Sequence, residues 1–273
     1  MPHRNGSPIS RILLAGIVFA TLQLFAQKPS PALQTSHPFQ YDNLELGIPG
    51  KTDALINRDG YAVGFSDAHK QAVFVIYKLT KMEVITKNAK RSNRFRADPE
   101  IPNGSATPED YRKSGFDRGH LASAADMAWS VKTMEDSFLM SNMSPQKPAF
   151  NRGIWARLEA QVRAFAVVEE EVFVVTGAIL PKEKTVTVGE SGVTAPFYFY
   201  KVVYDLTPPQ KMIAFVLPNE GSKCDLREFA VTVDAVEELT GLDFFSLVPK
   251  EKQDRLESTI TITDWSWGEV GDR

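Results

Sequence analysis

The chain has 273 residues, 43% of them hydrophobic and 24% charged, which is typical of a folded protein with one large domain or two small ones. Its formal net charge of −3 excludes a simple polycation that coats nucleic acid, and its one cysteine, Cys224, excludes an intramolecular disulfide. Beyond residue 30, no stretch stays apolar for long enough to span a bilayer.

The first predicted element is an apolar run over residues 12–26, which follows Arg4 and Arg11. A basic segment, an apolar run of this length and a small residue at its end are typical of a secretory signal peptide. We therefore predict a signal peptide over residues 1–26, cleaved after Ala26, and a secreted or periplasmic protein without stable membrane association. The alternative is an uncleaved anchor helix, although the run is short for a membrane span.

A linker and a hairpin are predicted next. Residues 27–40 are rich in proline and serine without periodicity, which indicates a flexible linker. Residues 61–66 and 72–79 are rich in β-branched and aromatic residues and predict two strands, joined by a turn at 67–70. His69 lies in that turn, so we expect it at the surface rather than in a metal site.

In the middle of the chain, the sequence pattern predicts two helices separated by a proline-containing loop. Apolar residues at helical spacing predict the first helix over 126–138, and residues 139–142 are predicted to be extended. Pro145 and Pro148 disfavour a helix through the loop. Asn151 then occupies the N-cap position of the second predicted helix.

Three strands and a helix complete the predicted order. They are strands over 171–176, 196–206 and 211–217, and a helix over 233–240 that ends at Gly241. The last two strands are predicted to form a second hairpin around the turn at Pro208 and Pro209. Strands on both sides of a central segment of helices and loops favour an α+β fold with a largely antiparallel central sheet flanked by helices. No internal linker is recognisable, so we predict a single domain over residues 41–273.

Basic residues are concentrated in the segment 87–163. It holds 13 lysines and arginines against nine acidic residues, whereas the whole chain is acidic. A local basic face on an acidic protein suits an enzyme that binds a polyanion and must release it.

Two polar clusters in this segment carry the residue types that phosphodiester cleavage needs. They are residues 117–120 (DRGH) and the polar positions between Asn142 and Glu159. A neutral imidazole at His120 can take a proton from water, and Arg118 is permanently charged and matches phosphate geometry. Gly119 is predicted to supply a backbone conformation closed to other residues. A purely structural histidine is the competing interpretation, and no HExxH or Cys/His cluster indicates a zinc site.

Two interpretations are open for Asn151. It can cap the second helix, or its carboxamide oxygen can bind Mg²⁺, which keeps most of its waters and needs few protein ligands. Glu159 lies eight residues further on, roughly 12 Å along a straight helix. Glu159 would therefore act through water, unless the chain around Asn151 folds back toward it.

The two clusters resemble those of the DNA/RNA non-specific endonuclease family, the endonuclease G-like group of ββα-metal (His-Me finger) nucleases. Residues 117–122 (DRGHLA) match the family's DRGH motif, and residues 139–146 (LMSNMSPQ), with Asn151 and Glu159, look like its second block. The similarity extends over residues 57–248. It implies a ββα-metal active site within the α+β fold and a metal-dependent endonuclease activity.

The resemblance also implies roles for individual residues. His120 is the implied general base, Arg118 contacts the scissile phosphate, and Asn142 orients groups around the histidine and the metal. The family has a further arginine upstream that contacts phosphate, and Arg91 and Arg94 both lie near the expected place.

The implied cofactor is one Mg²⁺ ion, for which Mn²⁺ can substitute. Asn151 is its implied direct ligand, and Glu159 holds one of the ion's water molecules. The implied substrates are DNA and RNA, cleaved to 5′-phosphorylated ends, and a homodimer is left open. Two other functions compatible with the residues are a metal-dependent phosphodiesterase for small nucleotides and a nucleic-acid-binding module without activity.

Overall fold

Eleven strands and five α-helices are found in the described part of the chain, residues 42–183 and 186–268 of the computed structural model. The predicted signal peptide and linker, residues 1–40, lie outside the described residues, so these two assignments stay predictions. The strands are β1 Ala54–Asn57, β2 Ala62–Ser66, β3 Gln71–Thr80, β4 Asp117–His120, β5 Met143–Gln146, β6 Glu171–Ile179, β7 Thr187–Val188, β8 Val193–Thr194, β9 Tyr198–Asp205, β10 Lys211–Pro218 and β11 Ala230–Val231. The α-helices are α1 Lys81–Ile85, α2 Val131–Asp136, α3 Ala156–Val168, α4 Val233–Thr240 and α5 Lys250–Glu257.

Seven of the strands form one antiparallel sheet in the order β1-β2-β3-β6-β9-β10-β11. Both predicted hairpins, β2–β3 and β9–β10, are present in it. The pairs β4–β5 and β7–β8 form separate two-stranded ribbons. The predicted α+β fold with a largely antiparallel sheet is confirmed.

The sheet is covered on both faces, which explains why its central strands are apolar almost throughout. On one face α3 and the β4–β5 segment pack through a core that includes Tyr77, Leu121, Trp155, Val162 and Phe165. On the opposite face α4 and α5 pack through a core that includes Phe173, Tyr204, Val236, Phe245 and Leu256. The active-site candidates therefore lie on one side of the sheet, and the C-terminal helices lie on the other.

The first predicted helix is much shorter than expected. The Oγ atom of Ser130 accepts a hydrogen bond from the backbone N–H of Thr133 at 3.1 Å, which caps α2 and sets its beginning at Val131. The preceding residues form turns, although their apolar side chains recur at helical spacing. Residues 140–142 form a 3₁₀ turn, so the prediction of an extended segment there was wrong.

The C-terminal helix α4 follows the prediction. Thr232 caps its first turn, with Oγ1 accepting from the N–H of Ala235 at 3.2 Å, and Gly241 ends it with a φ of 70°. Within residues 42–183 and 186–268, no helix combines the length and the apolar character that a membrane span requires.

Candidate active site

The two polar clusters meet in the β4–β5 ribbon and the helical segment that follows it. In the ribbon, Asp117 pairs with Gln146 and His120 pairs with Met143. An irregular turn, Phe150–Trp155, has the hydrogen-bond spacing of a π-helix and leads directly into α3. Two short strands, the turns beside them and the first turn of α3 therefore carry the residues of both clusters.

His120 is buried at the end of β4, with 7% of its surface exposed. Its ring packs edge-on against two aromatic rings, with centroids 5.8 Å from Phe95 and 4.8 Å from Phe138. Its backbone carbonyl accepts a hydrogen bond from Nε1 of Trp155 at 3.3 Å. The imidazole is thus held by apolar contacts, and the backbone beside it is tied to the start of α3.

The imidazole of His120 is neutral at pH 7, and one of its nitrogens has no protein partner in the described part of the chain. Its Nε2 atom is buried and has no hydrogen-bond partner among the described residues. Burial, and then the positive charge of Arg91, lower the pKa of His120 to about 3, so the ring is neutral at pH 7. A neutral ring with a free nitrogen is the state that a general base requires before reaction.

The lowered pKa of His120 also predicts how stability depends on pH. The unfolded chain takes up a proton at this residue below a pH of about 6.5, whereas the folded chain does so only near pH 3. Stability that is present at pH 7.5 is therefore lost as the pH falls through this window. When the pH falls from 7.5 to 5, the free energy of unfolding should decrease in both the metal-free protein and His120→Ala. We expect the decrease to be about 2 kcal/mol larger in the protein that retains His120. Urea unfolding of both proteins in EDTA measures the difference, and equal losses would contradict the lowered pKa.

Gly119 has a different function from the one predicted. It does not have a positive φ, so the prediction that it supplies an unusual backbone conformation was wrong. A Cβ atom at this position would overlap the side-chain amide of Gln146 on the paired strand. Glycine is thus required because β5 places a large side chain directly over β4.

Arginine side chains lie over the same two aromatic rings that contact His120. The guanidinium carbon of Arg118 lies 4.1 Å from the ring centroid of Phe95, and that of Arg91 lies 5.1 Å from the centroid of Phe138. Arg94 is instead exposed and forms an ion pair with Glu135. Arg91 and Arg118, rather than Arg94, therefore share the surroundings of His120.

Asn142 is fully buried, and its side chain is used entirely by the backbone. Its Oδ1 accepts from the N–H of Ala122 at 2.9 Å, and its Nδ2 donates to the carbonyls of Ala122 and Ser137, each at 2.9 Å. The N–H of Leu121 donates to its backbone carbonyl at 3.0 Å. Asn142 thus holds the chain that follows His120, and its carboxamide contacts backbone groups only.

Asn151 is not a helix N-cap, so the capping interpretation was wrong. It lies inside the irregular turn, where its own N–H donates to the carbonyl of Lys147 at 2.9 Å. Its Nδ2 donates to Oδ2 of Asp117 at 2.9 Å, and Asp117 also accepts two hydrogen bonds from Arg152, at 2.8 Å and 2.7 Å. Although burial opposes ionisation, these donors hold the pKa of Asp117 below its usual range.

The anchored amide leaves one atom of Asn151 available to a metal ion. Its Oδ1 accepts no hydrogen bond from any described residue, and the bond between Nδ2 and Asp117 sets the orientation of the carboxamide. A hard oxygen donor held by a second residue is the arrangement that metal sites favour. The residues present therefore fit an Mg²⁺ ion.

Glu159 lies in the first turn of α3, and the helical axis before it is broken. Gly153 has φ −111° and ψ −109° within the irregular turn, so Asn151 and Glu159 are not separated by eight residues of straight helix. Burial raises the pKa of Glu159 to about 7, and the positive charge of Lys201 opposes this shift. The separation of roughly 12 Å between Asn151 and Glu159 was calculated for a straight helix. Because the helix is broken at Gly153, that value does not exclude action of both residues at one ion.

A buried charged network next to Glu159 was not predicted. Arg163 forms an ion pair with Asp126 at 2.8 Å, and the hydroxyl of Tyr77 donates to the same carboxylate at 2.8 Å. Lys201 is 1% exposed, and its Nζ has no hydrogen-bond partner among the described residues but lies 4.8 Å from the ring of Trp155. In the sequence, Lys201 could have been noticed as a lysine flanked by aromatic and β-branched residues of strand β9.

Comparison with known proteins identifies the family. The model of the DNA/RNA non-specific endonuclease family matches residues 40–251. The mitochondrial nuclease of Saccharomyces cerevisiae is 33% identical over 270 residues, which cover 88% of this chain and 82% of that protein. Human mitochondrial endonuclease G is 32% identical over 214 residues, covering 73% and 72%, and a Nostoc nuclease is 32% identical over 255 residues, covering 86% and 91%.

A solved structure agrees with the sequence comparison. The chain superimposes on a chain of the crystal structure of the EndoG/EndoGI complex with a TM-score of 0.70 and 29% identity, covering 77% of this chain and 92% of that one. The resemblance found in the two polar clusters is thereby confirmed, as is the ββα-metal arrangement of β4, β5 and α3. The chain belongs to the DNA/RNA non-specific endonuclease family and is one of its metal-dependent nucleases.

Proposed function

We propose that this nuclease is an exported, Mg²⁺-dependent endonuclease that hydrolyses phosphodiester bonds of both DNA and RNA to 5′-phosphorylated products. The observation that carries the proposal is the neutral His120, whose two aromatic neighbours also contact Arg91 and Arg118. Membership of the family supports a nucleic-acid substrate. The choice of Mg²⁺ and the roles of individual residues belong to this proposal.

His120 is the proposed general base. Its imidazole takes a proton from the water that attacks the scissile phosphorus, and the imidazolium is formed only during the reaction. The apolar surroundings that lower its pKa limit its protonation beforehand. Phe95 and Phe138 restrict the ring to one plane, and Asn142 fixes the backbone beyond it.

Arg91 and Arg118 are the proposed phosphate contacts. Stacking on Phe138 and Phe95 orients their planar guanidinium groups before substrate arrives, which reduces the entropy lost on binding. Their positive charge stabilises the negative charge that grows on the phosphate oxygens in the transition state. Contacts of this kind reach phosphates rather than base edges, so cleavage is expected to be independent of sequence and of sugar.

Asn151 and Glu159 are the residues that would hold Mg²⁺. The ion would supply Lewis-acid stabilisation of the phosphate and of the leaving oxygen. Asp117 supports this site because it binds the Nδ2 of Asn151 and thereby directs the carboxamide oxygen outward. Arg152, bound to the same carboxylate, keeps Asp117 ionised.

Export is the part of the proposal that rests on residues 1–26, outside the described part of the chain. Several relatives are mitochondrial by name, so cellular location varies within the family. An unselective nuclease is a hazard to the genome of its own cell, which favours removal from the cytoplasm. Protein recovered outside the producing cells should begin at Gln27, and recovery of the intact N-terminus only inside the cells would contradict export.

The function is tested by cleavage of supercoiled plasmid and of RNA on agarose gels. With Mg²⁺ or Mn²⁺ we expect nicked circles and shortened RNA, and with excess EDTA we expect neither. A phosphodiesterase limited to small nucleotides would leave supercoiled circles intact. A binding module without activity would retard both substrates and cut neither, with or without metal.

A further inference from the structure

Three carboxylates converge between the C-terminal helices, on the opposite face of the sheet from the active site. Asp234 and Glu237 lie one turn apart on α4, and Glu257 lies at the end of α5. One carboxylate oxygen from each lies within 4.8 Å of the other two. Asp234 is exposed, Glu237 is half-buried and Glu257 is buried, so the group extends inward from the surface.

The buried carboxylate of Glu257 is only partly compensated, because a hydrogen bond from the side chain of Gln253 lowers its pKa by less than burial raises it. It is 2% exposed, and its Oε1 has no hydrogen-bond partner among the described residues. Burial, and then the negative charge of Glu237, raise the pKa of Glu257 to about 8. An isolated charge in such a place is costly, so either a cation or a proton must compensate for it.

No side chain in the described part of the chain supplies that positive charge. Lys250 lowers the pKa of Glu237, but its ammonium is exposed and lies 2.7 Å from Oδ1 of Asp254. Glu237 has one partner, the backbone N–H of Phe244 at 2.6 Å, and Asp243 accepts from Gln253 at 3.0 Å. The groups that face the three carboxylates are therefore mostly acidic or neutral.

We propose that Asp234, Glu237 and Glu257 form a second cation site, separate from the catalytic centre, which binds Ca²⁺. Ca²⁺ is bound by oxygens at about 2.3–2.6 Å, so oxygens on opposite sides of the ion are up to about 5 Å apart. Mg²⁺ binds at about 2.0–2.1 Å and limits this separation to roughly 4.2 Å. The three oxygens lie within 4.8 Å of one another, which Ca²⁺ can span. Mg²⁺ is seldom held by an all-protein set of carboxylates, so Ca²⁺ is the proposed ion, with water completing its coordination.

The site would connect α5 to α4 over the second core of the sheet. Leu256 of α5 packs in the same core as Val233 and Val236 of α4, so an ion that joins the two helices stabilises this core. Because α3, β4 and β5 lie on the other face, occupation of the site is expected to change stability without changing the rate of cleavage. The proposal does not depend on the catalytic roles assigned above.

The test is thermal unfolding of the full chain, stripped with EDTA and titrated with CaCl₂ at pH 7.5. All proteins carry Asn151→Ala, so that the catalytic centre contributes little to the response. At a Ca²⁺ concentration 100-fold above Kd we expect Tm to rise by roughly 5–10 °C, and we expect Glu257→Gln to abolish the rise. Asp254→Asn, which removes an exposed carboxylate of α5 outside the site, is the matched control and should retain it.

Two further outcomes decide the proposal. If Glu257→Gln does not fold, Asp234→Asn removes the exposed ligand instead and should reduce the Ca²⁺ response. The proposal is overturned if Ca²⁺ leaves Tm unchanged while Glu257→Gln is more stable than its parent in EDTA. That result would show that Glu257 holds a proton, shared with Glu237, and needs no ion.

Discussion

Replacement of His120 by alanine is expected to reduce turnover by about 10²–10⁴-fold, the contribution of a positioned general base. The loss follows because His120 is a neutral imidazole that shares its two aromatic neighbours with Arg91 and Arg118. Binding of substrate should persist, since Arg91 and Arg118 keep their aromatic partners. Initial rates of plasmid nicking, together with fluorescence anisotropy of a labelled oligonucleotide, separate the two effects.

The matched control is His69→Ala. His69 lies in the turn between β2 and β3, where its Nδ1 is 2.9 Å from Oγ1 of Thr194, and it has no place in the ββα segment. Its replacement should leave turnover within a factor of about two, because substitutions away from such sites usually have small effects. If both variants cleave at the wild-type rate, His120 is not the base.

Replacement of Asn151 by alanine is expected to raise the Mg²⁺ concentration needed for half-maximal activity by more than 10–100-fold, the range found for loss of a residue that only supports a metal site. The physical reason is that Oδ1 of Asn151 is available and is directed by the bond from Nδ2 to Asp117. Stability should be nearly unchanged, because the side chain caps no helix. Activity as a function of Mg²⁺ concentration and a urea unfolding curve measure the two quantities.

Arg152→Ala is the control for this second variant. Arg152 binds the same carboxylate as Asn151, but it is exposed and offers no ligand atom to a cation. Its loss should change the Mg²⁺ requirement far less than loss of Asn151 does. An Asn151→Ala enzyme with the wild-type Mg²⁺ requirement, or one that merely unfolds more easily, would remove Asn151 from the metal site.

Local sequence patterns predicted the elements whose ends carry strong signals. Both hairpins were predicted because β-branched and aromatic residues alternate with clear turn residues. Helix α4 was predicted because Gly241 ends it, and the structure adds the cap at Thr232. The short elements β1, α1, β7, β8 and α5 were missed, since a few residues that pack on a sheet edge or a ribbon show little periodicity of their own.

The helix prediction at 126–138 shows how a local pattern can mislead. The apolar residues recur at helical spacing, but the cap at Ser130 starts the helix at Val131 and leaves Met127 in a turn. Met127 is nevertheless 1% exposed, as the pattern predicted. Burial was predictable from side-chain chemistry, whereas the backbone conformation depended on hydrogen bonds formed by polar neighbours.

The sequence by itself determined the fold class, the family and the identity of the candidate residues, because these depend on residue type and on spacing along the chain. Residues 117–120, Asn142, Asn151 and Glu159 were all recognisable from the two polar clusters. Only the tertiary structure decided how these residues are used. Of the two upstream arginines, Arg91 lies over the Phe138 ring that also contacts His120, whereas Arg94 pairs with Glu135. The structure therefore favours Arg91 as the phosphate contact.

The tertiary structure also excluded the capping interpretation of Asn151, and it decided why Gly119 is glycine. Asp117 lies 34 positions before Asn151, and Gln146 lies 27 positions after Gly119. Contacts across such separations are formed only when β4, β5 and α3 pack against the sheet. The same applies to the carboxylates of α4 and α5, since burial and proximity, rather than residue type, make Glu257 require a partner.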